Sequence, residues 1–176
     1  MTSLLARAMG DAFASLPPDL QAFHSPDGPT TWVGDVTIET GSTPQARALA
    51  RMSGFPPRKG TVPFRLTITP EGEQEIWQRD YDGHILTSRQ ALGPKGTIEE
   101  RLGPLRIGLR PEAQGETLRM EVAALRIGAL PTPAVLRGQG GGTEGVDEQG
   151  RITFDVESRA PGLGRLIRYS GHLTRV

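Results

Sequence analysis

The segment EIWQRDYDGHILTS, residues 75–88, sets Trp77, Arg79 and Tyr81 at every second position and then reverses at Asp82-Gly83. Side chains of these types can recognise a molecule. The indole and the phenol are apolar walls with one polar edge each, and the guanidinium is a fixed cation. In an extended strand alternate side chains share a face, so Glu75, Trp77, Arg79 and Tyr81 point one way and Ile76, Gln78 and Asp80 the other. The tryptophan face is the inward one, because a large aromatic gains most from burial and Asp80 gains nothing. Arg79 is then carried inward too, and a buried guanidinium needs a carboxylate or access to water. Glu100, in TIEERLG, is the expected partner, since Ile98, Glu100 and Leu102 share one face of a nearby strand. The plain outcome is a structural ion pair at a barrel mouth, with Trp77 plugging the core. The sharper outcome is a pocket in which Arg79, Glu100, Tyr81 and Ser88 line a site for an anionic or amphipathic small molecule.

Other stretches fit known chemistries less well. GQGGGTEG, residues 138–145, contains the glycine spacing of a dinucleotide fingerprint, but that device needs a helix to follow, and here a turn and an alternating strand follow. It reads as a flexible loop. His24, His84 and His172 are too scattered for a local metal cluster, so no metal is assigned. His84 reads as solvated beside its turn, and His24 as a residue that caps or packs at a helix end. Glu99 and Glu100 face opposite ways on a strand and cannot act together on one substrate. No nucleophile elbow, paired-histidine zinc motif or phosphate loop is present, so no catalytic residue and no cofactor are assigned. The C-terminal RLIRYSGHLTRV reads as a solvated final strand with a modest basic edge at Arg165, Arg168 and Arg175, interleaved by Tyr169.

These side chains must be positioned by short strands. The 23 glycines and 15 prolines of the 176 residues are scattered as punctuation. Val62-Phe64-Leu66-Ile68, Leu105-Ile107-Leu109, Leu118-Met120-Val122 and Ile152-Phe154-Val156 each alternate with polar or small residues. Turn signals at residues 70–72, 82–83, 94–96 and 147–150 separate them. The pattern predicts a mainly β chain of about nine antiparallel strands, curled or partly closed into a barrel, with a sandwich as the alternative. Three short helices are expected before it. One carries Leu5, Met9, Ala12, Phe13 and Leu16 behind a Ser3 cap, a second begins at Pro18, and a third at Ser42-Thr43-Pro44. They should cover one face or opening. The whole of 1–176 reads as a single domain, with a helical segment holding one strand at 1–57 and the antiparallel region at 58–176.

Twenty basic and twenty acidic residues leave no net field for nonspecific nucleic-acid binding. Cysteine is absent, which excludes disulfides and thiolate chemistry. No apolar run reaches the length of a membrane span, and the expectation is a cytoplasmic protein without one.

Taken together, SLPPDLQAFH, GFPPRKGTVPF, EIWQRDYDGHILTS, EERLGPLRIGL, ALPTPAVL and FDVESRAPGLGRLIRYSGHL resemble a bacterial domain of unknown function, number 4166 of that series, over nearly the whole chain. The family occurs alone or fused to saccharopine-dehydrogenase-like oxidoreductase domains. The resemblance implies no activity, but it marks His24, Trp77, Arg79, Ser88, Glu100, Tyr169 and Gly171 as matching positions. Three functional readings follow. The first is a non-catalytic module binding a small apolar or amphipathic ligand through Trp77, Arg79, Tyr81, Ser88, Glu100, His24 and Tyr169. The second is an accessory domain for an oxidoreductase partner, and the third an enzyme with His24 or Glu100 as general base.

Overall fold

Asp82 and Gly83 both adopt positive φ, 51° and 91°. That backbone matches the right-handed twist of paired strands and makes the tightest kind of hairpin between β3 (Gln74–Tyr81) and β4 (His84–Leu92). The same economy of turns governs the rest of the computed structural model, which describes residues 2–128, 130–131 and 139–176. The other strands are β1 (Thr30–Thr40), β2 (Gly60–Glu71), β5 (Ile98–Leu102), β6 (Leu105–Gln114), β7 (Thr117–Ile127), the two-residue β8 (Leu130–Pro131), β9 (Gln139–Val146), β10 (Ile152–Ala160) and β11 (Gly164–Arg175). Neighbours run β6-β5-β4-β3-β2-β1-β11-β10-β9-β7, all antiparallel, and β6 also pairs with β7. That last ladder closes a ten-stranded barrel, close to the nine strands expected, and removes the sandwich alternative.

Closure leaves each strand with one face inside. Val36 and Ile38 are buried at alternate positions, and so, as predicted, are Phe64, Leu66 and Ile68 and then Trp77 and Tyr81. Ile98, Leu118, Ile152, Ile167 and Leu173 complete the core.

The helices start where the capping residues predict. Ser3 accepts the Ala6 N–H at the head of α1 (Leu4–Met9), and Thr43 accepts the Ala46 N–H at the head of α3 (Pro44–Met52). A tighter helical turn over Gly10–Ser15 and α2 (Pro18–Phe23) complete the set. Leu4 and Leu5 of α1 and Leu20 and Phe23 of α2 are buried in the barrel core, against β4 to β6 and against β9 and β10 respectively. Helix α3 instead packs outside, setting Ala46 and Ala50 on Leu166 of β11.

Three expectations are corrected. The glycine run at 138–145, expected as a loop, is strand β9 from Gln139 onward, with Gly138 outside the described residues. Its glycines serve close strand approach: a Cβ on Gly141 would lie 2.2 Å from the Met120 carbonyl oxygen, and one on Gly140 2.7 Å from that of Glu157. His84, expected in solvent, bonds the Gly54 carbonyl through Nε2 at 2.9 Å and ties β4 to the exit of α3. The last strand, expected to be solvated, is instead built into the barrel wall, where β11 pairs with both β1 and β10. Arg165 and Arg168 there form an ion-pair network with Glu39, Asp155 and Glu157.

Candidate functional site

Strand register brings the opening constellation together. Trp77 lies opposite Ser88, and Gln90 lies opposite Glu100, so Arg79, one step further along the inner face of β3, reaches both β4 and β5. Arg79 donates from Nη1 to Ser88 Oγ at 2.8 Å and from Nη2 to Glu100 Oε1 at 3.0 Å. Ser88 Oγ donates in turn to Glu100 Oε1 at 2.6 Å, and Gln90 Nε2 donates to the same oxygen at 3.4 Å. The guanidinium carbon stands 5.3 Å from the centre of the Trp77 ring, within cation–π range. Trp77 itself donates its indole N–H to Glu75 Oε2 at 3.0 Å.

The electrostatics follow from burial. Loss of solvent works against the charge of Arg79, but Glu100 first, and then the inner phenols Tyr169 and Tyr81, hold its pKa above the ordinary value. Burial likewise opposes the charge on Glu100, yet Arg79 and the hydrogen bonds from Ser88, Arg79 and Gln90 hold its carboxyl below the usual range. Both groups are therefore ionised at neutral pH.

The second cluster was only partly legible in the sequence. His24, at the end of α2, is buried and its Nε2 lies 2.6 Å from Glu144 Oε2 on β9. Its ring stacks edge-on to Phe23 at 4.7 Å and lies 5.9 Å from Trp77. Glu144 was missed because it sits inside the glycine run. The signal that could have found it is the alternation Gly142-Glu144-Val146, which points the carboxylate inward once the segment is read as a strand.

Tyr81 and Tyr169 complete the interior, ring centres 6.0 Å apart. The buried Tyr81 hydroxyl faces the Tyr169 phenol without the geometry of a hydrogen bond and has no partner among the described residues. Burial pushes both phenols above their ordinary pKa of 10.0. The folded chain thus holds these protons more tightly than the unfolded chain, and their linkage lowers stability as pH rises past 10.0. Since these are the only two tyrosines, tyrosinate absorbance reads them alone. The expected titration shows no ionising phenol near pH 10.0 until the protein unfolds, and a normal titration in the folded state overturns this. Tyr81→Phe, which removes a buried hydroxyl lacking a partner, should leave stability unchanged or raise it by up to about 1 kcal/mol in urea melts. A loss above that would reveal a hydrogen bond.

Between the clusters lies a cavity of about 150 Å³, and a second of about 70 Å³ shares Trp77, Arg79, Glu144, Val156 and Tyr169 with it. Its remaining walls are mostly apolar, including Leu102, Leu109, Met120 and Phe55, the residue that follows Gly54. All seven residues singled out from the sequence are inside the barrel. Trp77, Arg79, Glu100, His24 and Tyr169 line the larger cavity, while Ser88 and Tyr81 stand behind the lining. A wider concavity of about 1140 Å³ on the outer surface of β7, β9 and β10 is less suited to a ligand. Its charged side chains pair with each other, as in Arg168–Asp155, Arg159–Glu157 and Arg119–Glu121.

Among the described residues, no group of three or more histidines and carboxylates could hold a metal ion, and no helix is long and apolar enough to cross a membrane. Among the described residues, Leu49, Met52, Ile85, Leu92 and Val176 are the exposed large apolar side chains.

The barrel has a counterpart among solved structures. The crystal structure of Rv2717c from M. tuberculosis superposes with a TM-score of 0.52 at 17% sequence identity, covering 92% of this chain and 99% of that one. At that identity the likeness establishes the fold alone. No curated protein matches the sequence. The model of the domain of unknown function DUF4166 matches residues 16–173, from the end of the first helical segment to the last inward leucine of β11, and the chain belongs to that family.

Proposed function

We propose that the protein is a binding module whose barrel interior holds a small, mainly apolar molecule with one polar end. The observation that carries the reading is the cavity beside Trp77, where apolar walls surround a few convergent polar groups. Its volume, about 150 Å³, is that of a space able to hold a benzene-sized ring. The ligand is therefore a single ring or a short chain rather than a fatty acid or a dinucleotide.

Ligand that binds only the folded state raises stability by mass action, by about 2.7 kcal/mol at a hundredfold excess over Kd. For a chain of this length that corresponds to a rise in Tm of roughly 5–10 °C. The test is a thermal-shift screen of single-ring compounds, with native mass spectrometry of the purified protein to detect a retained molecule. Binding should also change tryptophan emission, since Trp77 lines the cavity and Trp32, the other tryptophan, is buried. A screen that moves neither Tm nor emission, with no retained mass, overturns the reading.

The His24–Glu144 pair favours a second reading. A carboxylate that orients an imidazole is the arrangement of a general base. Proton abstraction would require the other ring nitrogen, Nδ1, to reach the bound molecule. Chemical change of a bound compound that is lost in His24→Gln supports this reading, and unchanged recovery of every bound compound removes it.

A further inference from the structure

We propose that the cavity selects a small arylalkylamine, a single ring bearing an aliphatic ammonium group, with Glu144 as the acceptor of its N–H group. This rests on the binding reading above and specifies its ligand class.

The first argument is charge. Glu157 also borders the cavity, but its carboxylate is paired with Arg159 and Arg165, so the titratable groups left to set the charge of the lining, phenols aside, are one permanent cation, Arg79, two carboxylates, Glu100 and Glu144, and the imidazole of His24. With a neutral imidazole the lining carries one negative charge in excess, and with an imidazolium it is balanced. In neither state is there a surplus cation for a carboxylate or phosphate ligand.

The second argument is commitment. Arg79 lies over the Trp77 face and donates to Ser88 and Glu100. Drawing it to an incoming anion would leave Glu100 buried beside a second negative charge, which is strongly unfavourable in a dry site. Glu144 is differently placed. Its Oε2 is held by His24, while among the described residues its Oε1 accepts no hydrogen bond. It lines both cavities alongside Trp77 and Tyr169. The rings of Trp77 and Tyr169 give an aromatic ligand apolar contact.

The experiment compares three probes that share one ring: benzylamine, benzyl alcohol and benzoate, titrated calorimetrically into the full-length protein and into Glu144→Gln. A charge-assisted hydrogen bond corresponds to at least about tenfold in affinity. Benzylamine should bind at least about tenfold tighter than benzoate, and Glu144→Gln should lose about tenfold for benzylamine while benzyl alcohol stays within about threefold. Benzoate binding as tightly as the amine overturns the proposal and leaves the binding reading intact, as does an unchanged benzylamine affinity in the variant. If none of the three binds, the binding reading fails for this ligand size and the proposal with it. Should Glu144→Gln not fold, the wild-type ranking of the probes decides alone.

Discussion

Replacing Arg79 with methionine is expected to lower stability by about 3–5 kcal/mol, because it strands the Glu100 carboxylate inside the barrel. Both side chains are only 13% exposed, so little solvent is at hand to take over the lost partner. Ser88 and Gln90 still donate to Glu100, which keeps the loss below that of an isolated buried charge. The second half of the test is the double variant Arg79→Met with Glu100→Leu. Removing both charges together should recover most of the loss, since a buried ion pair is itself no strong source of stability. Urea melts of the wild type, the single variants Arg79→Met and Glu100→Leu, and the double variant complete a double-mutant cycle, and an Arg79→Met loss under about 1 kcal/mol would mean that water reaches Glu100 freely. The same pair sets an acid limit. Its carboxyl titrates below the ordinary value of 4.5, so the stability it contributes is full above that value and is lost as pH falls through the lower, folded value. The double variant should lack this part of the acid sensitivity.

Gly171→Ala is the other large expected effect. Where β11 crosses β1, a Cβ on Gly171 would lie 2.1 Å from the carbonyl oxygen of Asp35, and one on Gly34 would lie 1.9 Å from that of His172. Neither contact can be relieved by turning a side chain, because the obstacle is backbone. The strands must separate there, loosening the β1–β11 ladder that runs from Trp32–Arg175 to Thr40–Ile167. Overpacking of this kind costs about 1–3 kcal/mol and sometimes more, and the upper end is expected here. Thermal melts of Gly171→Ala and Gly34→Ala, compared with an exposed control such as Gly115→Ala at the β6–β7 turn, separate steric from conformational effects. Gly115 has open space around it but a φ of 59°, so its substitution reports backbone strain alone. Equal losses at all three sites would dismiss the close-approach explanation.

The inner face of β3 was readable in advance because two-residue alternation is a local property, and the gain from burying Trp77 outweighs any rival orientation of the strand. The Arg79–Glu100 pairing was readable for a related reason: once the cation is inside, the available carboxylates on alternating strands are few. The glycine-rich stretch was misread because composition says only that a backbone is permissive. Whether that permission is used for a loop or for close strand approach depends on what packs against it, here β7 and β10. His84 was misread in the same way, since the Gly54 carbonyl it meets is 30 residues away in the chain.

The sequence alone determined the periodicities, the caps, the turn positions and the inward faces, since each depends on neighbours within a few residues. The tertiary structure decided the closure of β6 on β7, the meeting of His24 with Glu144 across 120 residues, and the space left beside Trp77. Closure and cavity volume depend on how ten inner faces fit together, a quantity that no single segment contains.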